Sequence, residues 1–429
     1  MHNLDLSLSD ISKIEGKASC DIKIRGGKVA DVKFSIAEFK RFYTQAIKGK
    51  DIVALPQLTC RICGTCSNAH LLCVIKACEN ILGVEVSEQT EKLRRLLNFG
   101  LLIRDHALHL YIFVMPDFFG HDSILEFKEE DTLEHKYLHD AFKVKAGGNR
   151  LSLATGGRSV HAPYAMVGGF TRTPNGEELK KCSDELSGLR NTAIDLIKLF
   201  KEKDKTLIRH DLQFAALLDS DYSFLDGEIY HSNGREKAEK YGDNLEYVAI
   251  PYSHASGFRF KGKTYMTGAL ARLNLGKDKL HPKTRQSLNS ILDLFPSNNI
   301  YHNNLAQAIE ILHCLDSAID IIDSLSVKEE KPLSVVRKAG EGAGVIEAPR
   351  GILYYRLSID DEGRVIKGDI VVPTGQNQIG IEESIRLFLE NNLTKFREKE
   401  DLEKEIESIV RAYDPCMSCA SHFLKIRYS

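Results

Sequence analysis

Two short stretches of this chain have residue types and spacing suited to a soft metal. One is Arg61-Ile62-Cys63-Gly64-Thr65-Cys66-Ser67-Asn68-Ala69-His70, and the other is Asp414-Pro415-Cys416-Met417-Ser418-Cys419-Ala420-Ser421-His422. Each is a Cys-x-x-Cys followed by a histidine, so the two together can supply four thiolates to one site. Thiolates select thiophilic metals: zinc, an iron–sulfur cluster, or a nickel-containing centre. Structural zinc is the default for two such pairs, but a zinc ribbon keeps its pairs close in sequence. Here 350 residues separate Cys66 from Cys416, and His70 and His422 exceed what a four-thiolate zinc site uses. The spacing asks the whole fold to close around the metal. Cys60, just before the first pair, reads as a buried spectator, as do Cys20, Cys73, Cys78, Cys182 and Cys314.

The composition sets bounds on what surrounds these pairs. Lys+Arg 58 against Asp+Glu 60 leaves a net charge of -2, which gives no support for nucleic-acid binding. No run of apolar residues is long enough to cross a membrane, and Met1 to Asp5 lacks the basic and apolar regions of a secretory signal. Ten cysteines in 429 residues are too few for a disulfide scaffold, and a reducing compartment fits them.

The elements that must position the pairs are mostly helical. Residues 18–36 alternate around Arg25-Gly26-Gly27 and predict a β-hairpin; 38–55 predict a helix ending at Pro56. Cys60 to Cys66 predict a tight loop feeding a helix at 67–82, whose N-terminus favours thiolates. A long helix or helix pair is expected from Glu88 to Met115, ending at Pro116. An irregular Gly- and Pro-rich segment is expected at 147–176, and helix again at 177–205, 284–328 and 379–412. Short strands are expected within 246–276, and a second hairpin at 351–373 turning at Asp360 to Gly363. The glycines 340, 342 and 344 precede a strand-like run, which argues against a nucleotide loop. The expected fold class is mainly α with small β-hairpins, a single large helical domain spanning 1–429 with metal motifs at 60–70 and 414–422.

Four further pieces extend the cysteine pattern. They are Lys13-Ile14-Glu15-Gly16-Lys17, Tyr265 to Asn274, Glu347-Ala348-Pro349-Arg350-Gly351 and Val371-Val372-Pro373-Thr374. Combined with the two cysteine motifs, they resemble the large subunit of nickel–iron hydrogenases over essentially the whole chain. Lys13 to Lys17 is similar to the family's Arg-Ile-Glu-Gly-His, with Lys17 in place of the histidine. Tyr265 to Asn274 resembles the family's Val-Gly-Pro-Leu-Ala-Arg-x-Asn.

The resemblance implies a nickel–iron centre held by Cys63, Cys66, Cys416 and Cys419, with carbonyl and cyanide ligands on the iron. Cys66 and Cys419 would bridge the metals, while Cys63 and Cys416 would bind nickel alone. It implies a proton-relay carboxylate at Glu15 and a guanidinium at Arg350 over the open metal position, with Pro349 beside it. Asp105 and Asp414 would pair with that arginine, Thr374 would bond a cyanide, His70 a bridging thiolate, and His422 a magnesium ion. Without the resemblance, Glu15 would read as solvated surface, Arg350 as an arginine in a turn, and Asp414 as a helix cap. His106 and His109 read as core histidines.

The implied activity is reversible heterolytic cleavage of dihydrogen. No remaining cysteine grouping could bind a chain of clusters, so the electrons imply an iron–sulfur small subunit, with room for further electron-transfer subunits beyond it. The pieces at 156–161 and 167–170 resemble cytoplasmic members. Two departures stand out. Thr44 lies where the family carries a glutamate ligand, and a neutral hydroxyl there weakens a hard-cation site for magnesium. Only residues 423–429 follow the last histidine, where the family commonly has an extension cleaved after nickel insertion. A dihydrogen sensor would keep the same site. A respiratory-complex subunit sharing the fold would lack the cysteine pairs.

Overall fold

A computed structural model describes residues 3–39, 41–396 and 398–421. The expected first hairpin forms from Ala18–Arg25 and Lys28–Ile36, and Leu4–Leu8 adds a third antiparallel strand. Ala18, Cys20, Ile22 and Ile24 alternate into the interior, while Gly26 and Gly27 take the positive φ that the turn needs. This sheet sets the position of Glu15, just before its second strand.

The core is a stack of long helices. Ser67–Leu82 forms with the bounds expected from its apolar run, stopped by Gly83 in the left-handed conformation. Glu88–Ala107 starts at Ser87, whose hydroxyl accepts from Thr90 N–H. The helix does not stop at Pro116 as expected. It widens to π winding over Leu108–Val114, and Pro116 falls in the first turn of Met115–Phe119, where a missing N–H costs little.

The segment expected to be irregular from 147 is helical to Gly156, as the end of Thr132–Gly156. Its glycines are there for helix crossing. A Cβ on Gly148 would stand 2.6 Å from Arg104 N, and one on Gly100 would stand 2.5 Å from Ser152 Oγ. The two backbones approach as closely as that absence of side chains allows, which buries Arg104 and Asp105 at the crossing.

Gly176–Glu202 follows the expected helix, and His302–Ser324 runs through the centre of the molecule, buried along most of its length. The helix expected over 284–328 is broken into Pro282–Leu292 and His302–Ser324 around Pro296. Among its described residues the segment 38–55 holds the short helix Tyr43–Ala46, a 3-10 turn at Ile52–Ala54 and the first residue of the helix Leu55–Thr59; Pro56 lies in the first turn of that helix instead of ending one. Within 246–276 the strands Gly257–Phe260 and Tyr265–Met266 lead into the helix Ala269–Gly276.

A three-stranded antiparallel sheet of Gly340–Ala348, Gly351–Ile359 and Val365–Val371 contains the second expected hairpin. It lies against Ser67–Leu82, and Gly344 permits this, because a Cβ there would meet Cys73 O at 2.2 Å. The glycines 342 and 344 therefore serve packing, in line with the reading against a nucleotide loop. Pro373–Asn392 and Lys399–Ala412, separated by a break where one helix was expected, return the chain to the second cysteine pair. There Cys416 forms a parallel bridge with Glu15. The architecture is mainly helical with small sheets, as expected.

Candidate metal centre

Each cysteine pair places one of its members at a helix start. Cys66 is the N-cap of Ser67–Leu82, and Cys416 is the N-cap of the short Met417–Ala420 turn that carries Cys419. The second pair is tied down by Met417 N–H to Glu15 O at 2.9 Å and by Cys416 N–H to Thr374 Oγ1 at 2.9 Å. The four sulfurs lie within 4.8 Å of one another, all buried, and Cys63 Sγ stands 3.5 Å from Cys416 Sγ. That is far beyond a disulfide bond. Metal–sulfur bonds of about 2.3 Å put ligand sulfurs roughly 3.3–4.6 Å apart, so the cluster fits a metal.

The electrostatics of the quartet are those of a site built for a cation. Hydrogen bonds from Cys416, Cys419 and Cys66 pull the Cys63 thiol well below its usual range, whereas burial pushes Cys416 and Cys419 well up. Burial disfavours charge on these sulfurs, and a bound cation would be what stabilises them as thiolates. The other six cysteines are buried, and none joins the quartet.

Groups around the sulfurs divide into two sides. On one, Glu15 Oε2 is 3.1 Å from Cys416 Sγ and accepts from Ser418 N–H at 3.1 Å; Thr65 Oγ1 is 3.1 Å from Cys63 Sγ. On the other, a small pocket is bounded by Cys66, Cys416, Cys419, His70, Pro349, Arg350 and Thr374. Thr374 Oγ1 already accepts from Cys416, so its own hydroxyl hydrogen remains for another acceptor. Arg350 Nε is buried with no hydrogen-bond partner among the described residues. A quartet of thiols next to such a cavity, with an unanswered donor on its wall, fits a second metal bearing small acceptor ligands.

Arg350 projects from the tight turn before Gly351, whose φ of 128° suits glycine alone. Its Nη1 donates to Asp105 Oδ2 at 2.5 Å, and its Nη2 lies 3.0 Å from Asp414 Oδ1. Burial pushes the Asp414 carboxyl up, but Arg350 and His109 outweigh it and hold the group at about 2. Asp414 also accepts from Gln307 at 2.7 Å and takes a positive φ of 48°, a strained conformation held in place by these bonds. His109 lies 3.0 Å from Asp414, and His106 bonds Glu310 at 2.9 Å, so both histidines are core partners of carboxylates, as read.

His70 stands with Nε2 3.6 Å from Cys419 Sγ and Nδ1 2.7 Å from the Tyr355 hydroxyl. The structure thus gathers Cys63, Cys66, Cys416, Cys419, Glu15, His70, Asp105, Pro349, Arg350, Thr374 and Asp414. His422 lies outside the described residues, and Thr44 is half-buried on Tyr43–Ala46. Sequence reasoning missed Tyr355, which orients His70, and Arg104, which bonds the carbonyls of Ser159 and Thr65 and so pins the first cysteine loop. Both look like ordinary strand or helix positions in sequence. It also missed a separate surface group, Glu129, His135 and His139.

The sequence matches the family described as "Nickel-dependent hydrogenase" over residues 41–137 and 130–422. The chain is 33% identical over 424 residues to the sulfhydrogenase 2 subunit alpha of Pyrococcus furiosus, covering 98% of this chain and 100% of that one. It is likewise 33% identical to the sulfhydrogenase 1 subunit alpha of the same organism, covering 99% of each. The fold is similar to that of an NAD+-reducing NiFe-hydrogenase in its H2-reduced state, with a TM-score of 0.87 and 22% identity over 98% of this chain and 100% of that one. It is also similar to a NiFeSe-hydrogenase from Dm. baculatum, with a TM-score of 0.77 and 20% identity over the same shares.

Proposed function

The chain belongs to the nickel-dependent hydrogenase family, and from that premise we propose that it is the catalytic large subunit of a nickel–iron hydrogenase. It is an oxidoreductase acting on hydrogen; the finer reading is reversible heterolytic cleavage, with the electrons passed to an iron–sulfur small subunit. The observation that carries this reading is the convergence of four buried sulfurs between a carboxylate 3.1 Å from one of them and an arginine-walled cavity.

Cys63 and Cys416 would hold nickel, while Cys66 and Cys419 would be shared with iron. When bound, the centre supplies a redox-active site at which dihydrogen is polarised and its two electrons are taken up. The chain's own groups do the rest. Cys416 Sγ holds the released proton and Glu15 Oε2 receives it across 3.1 Å, within hydrogen-bond reach of a general base. Glu15 is only half-buried, so it can pass the proton outward. Arg350, fixed by Asp105 and Asp414, keeps a permanent positive charge on the cavity wall, and Thr374 offers it a hydroxyl donor. These two donors suit cyanide and carbonyl ligands on iron.

No further cysteine cluster exists among the described residues, which supports a partner that carries the electrons away. No described helix is long and apolar enough to cross a membrane. The test is metal analysis of the chain with its partner, together with dihydrogen-driven reduction of an artificial acceptor and an infrared search for cyanide and carbonyl stretches. Nickel, iron, both sets of bands and turnover are expected; zinc alone would overturn the proposal, and intact bands without turnover would favour a sensor.

A further inference from the structure

The Tyr265 to Asn274 stretch takes no part in the cysteine quartet, yet its arginine is the hub of a second buried charge network. Arg272, Glu310 and Glu347 are fully buried. From the helix Ala269–Gly276, Arg272 donates Nε and Nη2 to the two carboxylate oxygens of Glu310 at 2.6 and 2.7 Å, and Nη1 to Glu347 Oε2 at 2.7 Å. Its remaining hydrogens go to two backbone carbonyls, Ala348 O at 3.2 Å and Pro349 O at 3.0 Å. All five guanidinium donors are used.

Those carbonyls belong to the two residues immediately before Arg350. On the far side of Arg350, Ile352 N–H donates to Thr267 Oγ1 at 2.9 Å. The segment 267–272 therefore grips the Arg350 turn at both ends. Glu310 is itself fixed by Tyr222 at 2.7 Å and His106 at 2.9 Å, and Glu347 by Leu217 N–H at 2.7 Å.

Burying three charges is a poor way to gain stability, since apolar replacements of such networks are often no less stable. What they provide here is geometry, because only a rigid planar fork meets two carboxylates and two carbonyls at once. We propose that Arg272 is a positioning residue, which sets the backbone of the Ala348–Arg350 turn and so aims the Arg350 guanidinium into the cavity beside Cys66 and Cys419. This rests on the hydrogenase reading of that cavity. Catalytic groups lose effect when displaced by more than about 0.5 Å, so the brace matters to rate more than to fold.

The test uses Arg272→Lys in the metal-loaded protein with its partner. Lysine keeps the charge but cannot reach four acceptors. Nickel and iron per chain stay at wild-type levels, dihydrogen turnover falls 10- to 100-fold, and the double variant with Arg350→Lys falls no further than Arg350→Lys alone, because the two act through one guanidinium. Amide hydrogen exchange, read on the same complex, quickens in the 345–353 segment and nowhere else. Wild-type turnover in Arg272→Lys, losses that multiply in the double variant, or exchange that rises throughout the chain would each overturn the proposal. If Arg272→Lys does not accumulate folded, Glu347→Gln takes its place; it keeps an acceptor for Leu217 N–H, and at least a threefold loss of turnover with the same local exchange is required of it. Should the wild-type protein itself fail to turn over dihydrogen, the hydrogenase reading falls, while the exchange measurement still judges the brace.

Discussion

Replacing Glu15 by glutamine removes a transferable proton while leaving the shape of the side chain in place. The amide oxygen can still accept from Ser418 N–H, now at 3.1 Å, so the second cysteine pair keeps its support. The weakened hydrogen bond costs about 1 kcal/mol, too little to unfold the chain or empty the site. The proton at Cys416 Sγ, however, loses the acceptor 3.1 Å away. A positioned general base is worth about 10²- to 10⁴-fold, or roughly 3–5 kcal/mol of barrier. Because Glu15 is half-exposed, water can partly substitute, and the loss falls near the lower end, about 100-fold. The assay is deuterium exchange between D2 and water, run beside dihydrogen-driven dye reduction, with nickel and iron measured on the same sample. Glu15→Asp should be intermediate: it retracts the carboxylate by about 1.5 Å, beyond direct hydrogen bonding but within reach through one water. Exchange in Glu15→Gln within twofold of wild type, at full metal content, would refute the relay.

Three other outcomes follow from the geometry. Cys416→Ser exchanges a soft ligand for a hard one at the sulfur 3.5 Å from Cys63, so nickel content per chain should drop with activity; full occupancy and turnover would remove Cys416 from the ligand set. Asp414→Asn leaves the buried Arg350 with one carboxylate and should lower unfolding stability by about 3 kcal/mol in urea. With its carboxyl held at about 2 against a usual 3.8, the stabilisation from Asp414 is fully present above about 3.8 and is lost as pH falls toward 2, so the variant should show a flatter acid-unfolding profile across that window; identical profiles would contradict the pairing. Gly344→Ala drives a Cβ to 2.2 Å from Cys73 O and should destabilise the chain by about 3 kcal/mol or more, whereas Gly188→Ala, in open space on the Gly176–Glu202 helix, should stabilise it by roughly 0.5–1 kcal/mol; a reversed order would mean the sheet does not lie on Ser67–Leu82 as described.

What could be read from sequence is what is encoded locally. The cysteine pairs, the Gly26-Gly27 turn and the helix 67–82 depend on spacing within a few residues, and they appear where expected. Glu15 and Arg350 stand in short motifs, although nothing near them in sequence explains why they matter; their meaning comes from Cys416 and Asp105, more than two hundred residues away. Misreadings cluster where a tertiary partner decides the outcome. Gly147 and Gly148 look like loop residues until the Glu88–Ala107 helix is laid across them. Pro116 looks like a terminator, yet it falls in the first turn of Met115–Phe119, where its missing N–H costs little. Arg104, Tyr355 and Arg272 carry no local signal of function, because each acts on a backbone or ring brought to it by folding.

The parallel bridge between Glu15 and Cys416 joins the two ends of the chain beside the first cysteine pair. A metal bound by both cysteine pairs ties together segments 353 residues apart. Measured as a cross-link, closing a loop of that length withdraws about 6 kcal/mol of freedom from the unfolded chain at 25 °C. Such an ion would act as a clasp as well as a reagent. Synthesis delivers Cys63 and Cys66 early and Cys416 and Cys419 late, so the clasp shuts only after the intervening helices exist. Loss of the ion should loosen the Met417–Ala420 turn before it touches the Ser67–Leu82 helix, since the former has four residues of winding and the latter sixteen.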